Sequence, residues 1–146
     1  MSYPIVLLLH LLAAIMFVGT VLFEVIILEG IRYNTPRPTM RAVEQNIGQR
    51  ARRIMPWVLL VLYAAGITLA WHHRAALANP FDSSFALLLS IKILLAISVF
   101  VHFVTAMTMH HLGKLRSVHF KWIHVSVFIH VITIVILAKA MLYLRW

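Results

Sequence analysis

Residues 5–28 read IVLLLHLLAAIMFVGTVLFEVIIL, and this apolar stretch decides the fold class. At about 1.5 Å of rise per residue, a helix of this length crosses a bilayer core of roughly 30 Å. His10 and Glu24 are the two ionisable side chains within it, and their spacing returns them close to one face of an α-helix. Because an ionisable group in hydrocarbon is costly, that face is expected to point toward protein rather than lipid.

The rest of the chain is equally apolar. Of its 146 residues, 62% are hydrophobic and 12% are charged, whereas soluble domains are close to half apolar. Four apolar segments can be drawn, at about 4–28, 54–71, 85–109 and 122–144. They predict an all-α membrane protein in which residues 1–146 form a single domain, a four-transmembrane-helix up-down bundle. No internal repeat is evident.

Local signals refine these bounds. The first segment lacks a basic start and a small-residue cleavage site, so it is predicted to be a membrane span rather than a signal peptide. The run Asn79-Pro80-Phe81-Asp82-Ser83-Ser84 predicts a loop and an N-cap before the third helix. Residues 38–53 are basic and allow two interpretations, an amphipathic helix on the headgroups or a loop that only fixes the topology.

The orientation follows from the basic residues of the connections. Arg32, Arg37, Arg41, Arg50, Arg52 and Arg53 lie in the 29–53 connection, and Lys114, Arg116 and Lys121 lie in the 110–121 connection. Basic loops face the cytoplasm, so both termini are predicted to lie outside it, in a bacterial-type inner membrane. The net charge of +9 is explained by loops beside anionic headgroups, and no nucleic-acid partner is expected.

Counting residues from the predicted helix ends sorts the intramembrane polar groups into two layers. His10 and Lys92 share a level in the outer half of the bundle. Glu24, His102 and His130 share a level toward the cytoplasmic half. Imidazole is a standard axial ligand of haem, and a neutral lysine amine can also ligate a metal. The two layers suggest a haem-type cofactor, but their spacing also allows a proton relay or a structural ion pair of Glu24.

Copper is the alternative cofactor. Met107-Thr108-Met109-His110-His111 groups thioethers with imidazoles at the end of the third helix, where Met109 shares a face with His102. Such ligands suit copper, so the alternative copper site consists of His102, Met107, Met109 and His110. A third interpretation is an accessory membrane subunit without a cofactor, in which the polar residues only hold helices together.

Three stretches resemble one superfamily of membrane proteins. LLHLLAAIMFVGTVLFEVIIL and ARRIMPWVLLVLYAAGITLAW resemble the first two helices of the HemJ-type protoporphyrinogen oxidases. LLLSIKILLAISVFVHF resembles their third helix, with Lys92 and His102 in the positions of a Lys and a later His. The second and third helices also resemble the membrane domain of the CopD copper-resistance proteins.

The resemblance implies haem b, with His10 and Lys92 as the axial ligands. Since the chain has no cysteine, this haem would be bound non-covalently. His102, His130 and Glu24 would then tune it, carry protons or hold a second haem, in a redox protein that exchanges electrons with quinone.

A homodimer is expected, because four helices enclose little volume for a porphyrin. The last helix departs from the HemJ pattern, since FKWIHVSVFIHVITIV holds no Asn-Glu-x-Pro motif. This departure implies a divergent member with a substrate other than protoporphyrinogen.

Overall fold

Helices account for almost all of the structure. The computed structural model describes residues 2–113 and 117–144, and those ranges contain no strand. Their helices are α1 (Tyr3–Arg32), α2 (Arg37–His72), α3 (Arg74–Ala78), α4 (Ser84–His111) and α5 (Ser117–Tyr143). Lys114 and Arg116, which contribute to the predicted charge of the second basic connection, lie outside the described residues.

Four helices are long and apolar enough to cross a membrane. They are Tyr3–Arg32, Arg37–His72, Ser84–His111 and, within α5, Lys121–Tyr143. Only 11% to 22% of each spanning window is buried inside the protein. Apolar side chains on this scale remain exposed only where lipid replaces water, so the predicted all-α class is confirmed and the architecture is that of a multi-pass membrane protein.

Residues 1–72 form a helical hairpin in which α1 packs against α2. The two helices are antiparallel, since Tyr3 contacts His72 near one end and His10 contacts Leu62 farther along. The side of α1 with Val6, Ala13, Phe17 and Val21 is buried, and their spacings of seven and four residues are those of one helical face.

One segment of α1 is wider than an α-helix. Residues Phe23–Leu28 form a π-helical segment, in which the backbone N–H of Glu29 donates to the carbonyl of Glu24 five residues earlier. Such segments occur mostly as single turns inside α-helices and frequently mark functional sites. Glu24, one of the predicted site residues, therefore lies in the irregular part of its helix.

Helix α2 is longer than predicted. It begins at Arg37, well before the predicted start at residue 54, so residues 38–53 are helical rather than a loop. Their composition explains this, because Ala, Met, Arg, Glu and Gln favour helices and a proline is tolerated in the first turn. Pro56 lies inside the helix near the start of its apolar part, where it cannot donate to the carbonyl of Arg52.

Residues 73–113 and 117–144 form a second hairpin, in which α4 packs against α5. The predicted N-cap is confirmed, since the Ser83 hydroxyl accepts a hydrogen bond from the Ala86 N–H at 3.2 Å. Ser84 is 2% exposed, and its hydroxyl donates to the carbonyl of Leu144 at 2.8 Å. This bond joins the start of α4 to the end of α5, which makes the two helices antiparallel.

Candidate functional site

The first candidate site surrounds His10 in the first hairpin. Its Nδ1 lies 3.0 Å from the carbonyl oxygen of Leu62 on α2. A carbonyl only accepts, so Nδ1 carries the proton and donates it across the hairpin. In the tautomer that carries its proton on Nδ1, the lone pair lies on Nε2, and metal-ligating histidines have this arrangement when a backbone carbonyl accepts from their other nitrogen.

Gly66 makes this close approach possible. A Cβ built at residue 66 would lie 3.2 Å from Cε1 and 3.4 Å from Nδ1 of His10. These distances are at or below the lower end of ordinary contact, so a larger residue would press on the ring. Leu62 and Gly66 are one helical turn apart on α2, and the imidazole of His10 packs against both of them at its Nδ1 edge.

The second candidate site joins the two helices of the second hairpin through two histidines and two serines. Ser98 Oγ lies 3.1 Å from His130 Nε2, and Ser126 Oγ lies 3.0 Å from His102 Nε2. Each histidine also bonds within its own helix: His102 Nδ1 is 2.7 Å from the Ser98 carbonyl, and His130 Nδ1 is 2.7 Å from the Ser126 carbonyl. The two imidazole rings lie side by side, with centroids 5.4 Å apart.

These four hydrogen bonds close into a ring with a fixed donor direction. Because backbone carbonyls accept, both histidines donate from Nδ1, and the tautomer with its proton there accepts from a serine hydroxyl at Nε2. Each histidine therefore uses both of its nitrogens. A metal at either Nε2 would first have to displace a serine hydroxyl that joins α4 to α5.

Sequence reasoning placed His102 and His130 together but missed the serines. The missed signal was a repeat, since residues 98–102 read SVFVH and residues 126–130 read SVFIH. In each copy the serine and the histidine are four residues apart and share a helix face. Packed antiparallel, each copy presents its histidine to the serine of the other copy, which accounts for the pseudo-twofold ring.

The remaining residues predicted to hold a haem lie on α1 and α4. Glu24 is half-buried in the π-helical segment of α1. Lys92 is half-buried on α4, nearly three turns before His102. The pairing of Lys92 with His10 stays a prediction, since the two residues belong to different hairpins.

The residues predicted to bind copper lie at the end of α4. Met107 and Met109 are half-buried, whereas His110 is exposed and has its ring centroid 6.3 Å from that of His111. Within residues 2–113 and 117–144, no group of three or more His, Cys, Asp or Glu side chains could hold a metal ion. A haem needs only one or two axial ligands from the protein, so this observation bears on a free ion and not on a haem.

The polar interior of the described part of the chain is otherwise fully paired. None of its buried side-chain nitrogens or oxygens lacks a hydrogen-bond partner. His10 and the histidine–serine ring of α4 and α5 are two arrangements in which a hydrogen bond of an imidazole joins one helix to another. Comparisons of the chain with protein-family profiles, with curated proteins and with solved structures find no match.

Proposed function

We propose that the protein is a membrane redox protein that binds haem b non-covalently through His10 and exchanges electrons with quinone. The observation that carries the proposal is the bond from His10 Nδ1 to the Leu62 carbonyl. It engages Nδ1 with a backbone carbonyl, so Nε2 is the nitrogen that would ligate a haem iron. The sequence resemblance to haem-binding membrane proteins supports the same residue.

Lys92 is the proposed second ligand, because counting along the spans places it at the level of His10. When bound, the haem would supply a one-electron redox centre within the bilayer. The protein's own residues would hold that centre in place: the Leu62 carbonyl orients His10, and Gly66 leaves room for the ring. Glu24 is proposed to tune the site from the π-helical segment of the same helix.

The membrane arrangement forms part of the proposal. We place the four spans in an up-down bundle with both termini outside the cytoplasm, because the basic residues cluster in the 29–53 and 110–121 connections. The proposal also places the protein in a bacterial-type inner membrane and expects it to form a homodimer. His102 and His130 are assigned to the bundle's interior hydrogen bonding, since both nitrogens of each ring are already bonded.

Absorption spectroscopy tests the proposal directly. Protein purified after haem-replete expression is expected to show a Soret band and a pyridine haemochrome spectrum of haem b. His10→Ala should abolish the band, and Lys92→Met should shift it, because a different atom would then ligate the iron. The matched control is His72→Ala, which removes an exposed histidine whose Nδ1 bonds only within its own helix.

Two outcomes would contradict the proposal. A wild-type protein without a Soret band would exclude haem binding under these conditions, and a band unchanged in His10→Ala would exclude His10 as the ligand. Metal analysis of the same sample tests the copper alternative. Stoichiometric copper that is lost in Met109→Ala would favour that alternative over haem.

A further inference from the structure

An exposed face of α2 combines two arginines with a tryptophan. Arg50, Arg53 and Trp57 follow one another at spacings of three and four residues, so they lie on one face of the helix. All three are exposed, and Trp57 retains 70% of its accessible surface. Leu60 and Val61, which are also exposed, continue this face into the apolar part of α2.

The two arginines have no acidic partner among the described residues. The acids near them on the chain are Glu29 and Glu44, and both pair with Arg32, at 3.3 Å and 2.6 Å. Arg50 and Arg53 thus lie one turn apart with like charges, an arrangement that is unfavourable on a helix. An anion bound between them would remove this repulsion.

The continuous helix fixes the height of each group relative to the bilayer. The apolar part of α2 starts at about residue 54, so Arg53 and Arg50 lie roughly 1.5 Å and 6 Å beyond it. The headgroup layer on each side of the hydrocarbon is about 5–7 Å thick, which places both guanidinium groups at the level of lipid phosphates. Trp57 lies about 4.5 Å on the other side of that boundary, at the depth where tryptophan is enriched.

We propose that Arg50, Arg53 and Trp57 form a binding site for an anionic phospholipid. The two guanidinium groups bind the phosphate, for which their planar pairs of N–H donors are suited. The lipid's acyl chain lies along Trp57 and the exposed Leu60 and Val61. This face carries positive charge only at its headgroup end and apolar side chains below it, so a lipid matches it better than a soluble anion.

Tryptophan fluorescence provides the test, since Trp57 belongs to the site. The reporter protein carries Trp71→Phe, Trp122→Phe and Trp146→Phe, and is reconstituted in bilayers with brominated acyl chains. Brominated phosphatidylglycerol is expected to quench Trp57 at a lower mole fraction than brominated phosphatidylcholine. Arg50→Gln and Arg53→Gln should each lower this anionic preference by about fivefold, the effect of one basic residue at a membrane surface.

Matched control variants distinguish a specific phospholipid site from general electrostatic attraction between basic residues and anionic lipids. Arg41 and Arg37 lie on the same helix, about 18 Å and 24 Å from Arg53, which exceeds the Debye length of about 8 Å at physiological salt. Arg41→Gln and Arg37→Gln should therefore leave the preference unchanged. Arg50→Lys, which keeps the charge but loses the paired donors, should give an intermediate value.

Three results would overturn the inference. Equal losses in Arg41→Gln and Arg50→Gln would show that only the net charge matters. An unchanged preference in both Arg50→Gln and Arg53→Gln would exclude the site. Displacement of the lipid by inorganic phosphate at constant ionic strength would assign the arginines to a soluble anion instead of a lipid.

Discussion

Replacing Ser98 with alanine isolates one bond of the histidine–serine ring. The Ser98 hydroxyl donates to Nε2 of His130 on the other helix, whereas its backbone carbonyl accepts from Nδ1 of His102 on the same helix. Ser98→Ala removes the first bond and leaves the second, because alanine keeps the carbonyl. The substitution therefore separates the bond between helices from the bond within a helix.

The expected effect is modest and can be estimated from membrane proteins in general. Hydrogen bonds between transmembrane helices contribute about 0.6 kcal/mol on average and up to about 1.7 kcal/mol. Ser98, His130 and the rest of the ring are half-buried, so a value within this range applies. Ser98→Ala should lower the free energy of unfolding by about 0.6–1.7 kcal/mol. Ser126→Ala should do the same, since its bond to His102 is equivalent at 3.0 Å.

A double-mutant cycle in mixed micelles measures the bond itself. The cycle of Ser98→Ala with His130→Ala should give a coupling energy of about 0.6–1.7 kcal/mol. The cycle of Ser98→Ala with His102→Ala serves as the control, and its coupling energy should be the smaller of the two because the Ser98 carbonyl that accepts from His102 persists. Equal couplings in both cycles, or none in the first, would refute the assigned ring.

Two further predictions concern the first hairpin and the topology. Gly66→Ala should be less favourable than Gly19→Ala by about 1–3 kcal/mol in the free energy of unfolding, because a Cβ at residue 66 meets His10 at 3.2 Å whereas none of the described atoms lies within 4 Å of one at residue 19. Equal effects would show that the ring yields without cost. The chain has no cysteine, so single-cysteine variants report topology without background: an impermeant maleimide should label Phe81→Cys in intact cells, and Tyr33→Cys and Leu112→Cys only after permeabilisation. Labelling of Tyr33→Cys in intact cells would reverse the proposed orientation.

The spans could be predicted from the sequence because hydrocarbon imposes a simple requirement. Each crossing needs about 20 apolar residues in a helix that satisfies its own backbone, and such runs are visible without any tertiary information. The start of α4 could also be predicted from the sequence, because Ser83 follows a proline-containing loop and caps the helix. For residues 38–53 the sequence left a helix and a loop both open, since these residues are polar and their hydropathy does not distinguish the two; the structure shows the helix.

The π-helical segment of α1 could not be predicted in the same way. The placement of His10 and Glu24 on one face assumes 100° per residue throughout, and this holds only as far as Leu22. From Phe23 the turn widens, so the residues beyond it rotate progressively away from the extrapolated direction. No residue type in this segment indicates a π-helix, because Phe-Glu-Val-Ile-Ile-Leu is compatible with an ordinary helix. Residue spacing therefore predicts directions on α1 only as far as the start of this segment.

Only part of each candidate site could be predicted from the sequence, for a related reason. Spacing finds polar residues in apolar helices, and it found His10, His102 and His130. It does not show which neighbouring carbonyl or hydroxyl each ring uses. The Leu62 carbonyl and Gly66 have no distinctive signal, because one is a backbone atom and the other a common residue in membrane helices. Ser98 and Ser126 did have a sequence signal, because each begins a copy of the repeat Ser-Val-Phe-x-His. A search for metal-ligand spacings does not detect such a repeat.

The difference between the two histidine arrangements decides which one suits a ligand. In the second hairpin the bonds that join the helices end on Nε2 of His102 and His130, so a ligand there competes with helix packing. In the first hairpin the bond between helices is made by Nδ1 of His10, so ligation at Nε2 leaves it in place. A ligand that binds only the folded state stabilises that state, and it stabilises it less when it displaces a bond between helices. A ligand at Nε2 of His10 keeps the bond that joins α1 to α2, whereas a ligand at His102 or His130 must first replace the bond that it breaks.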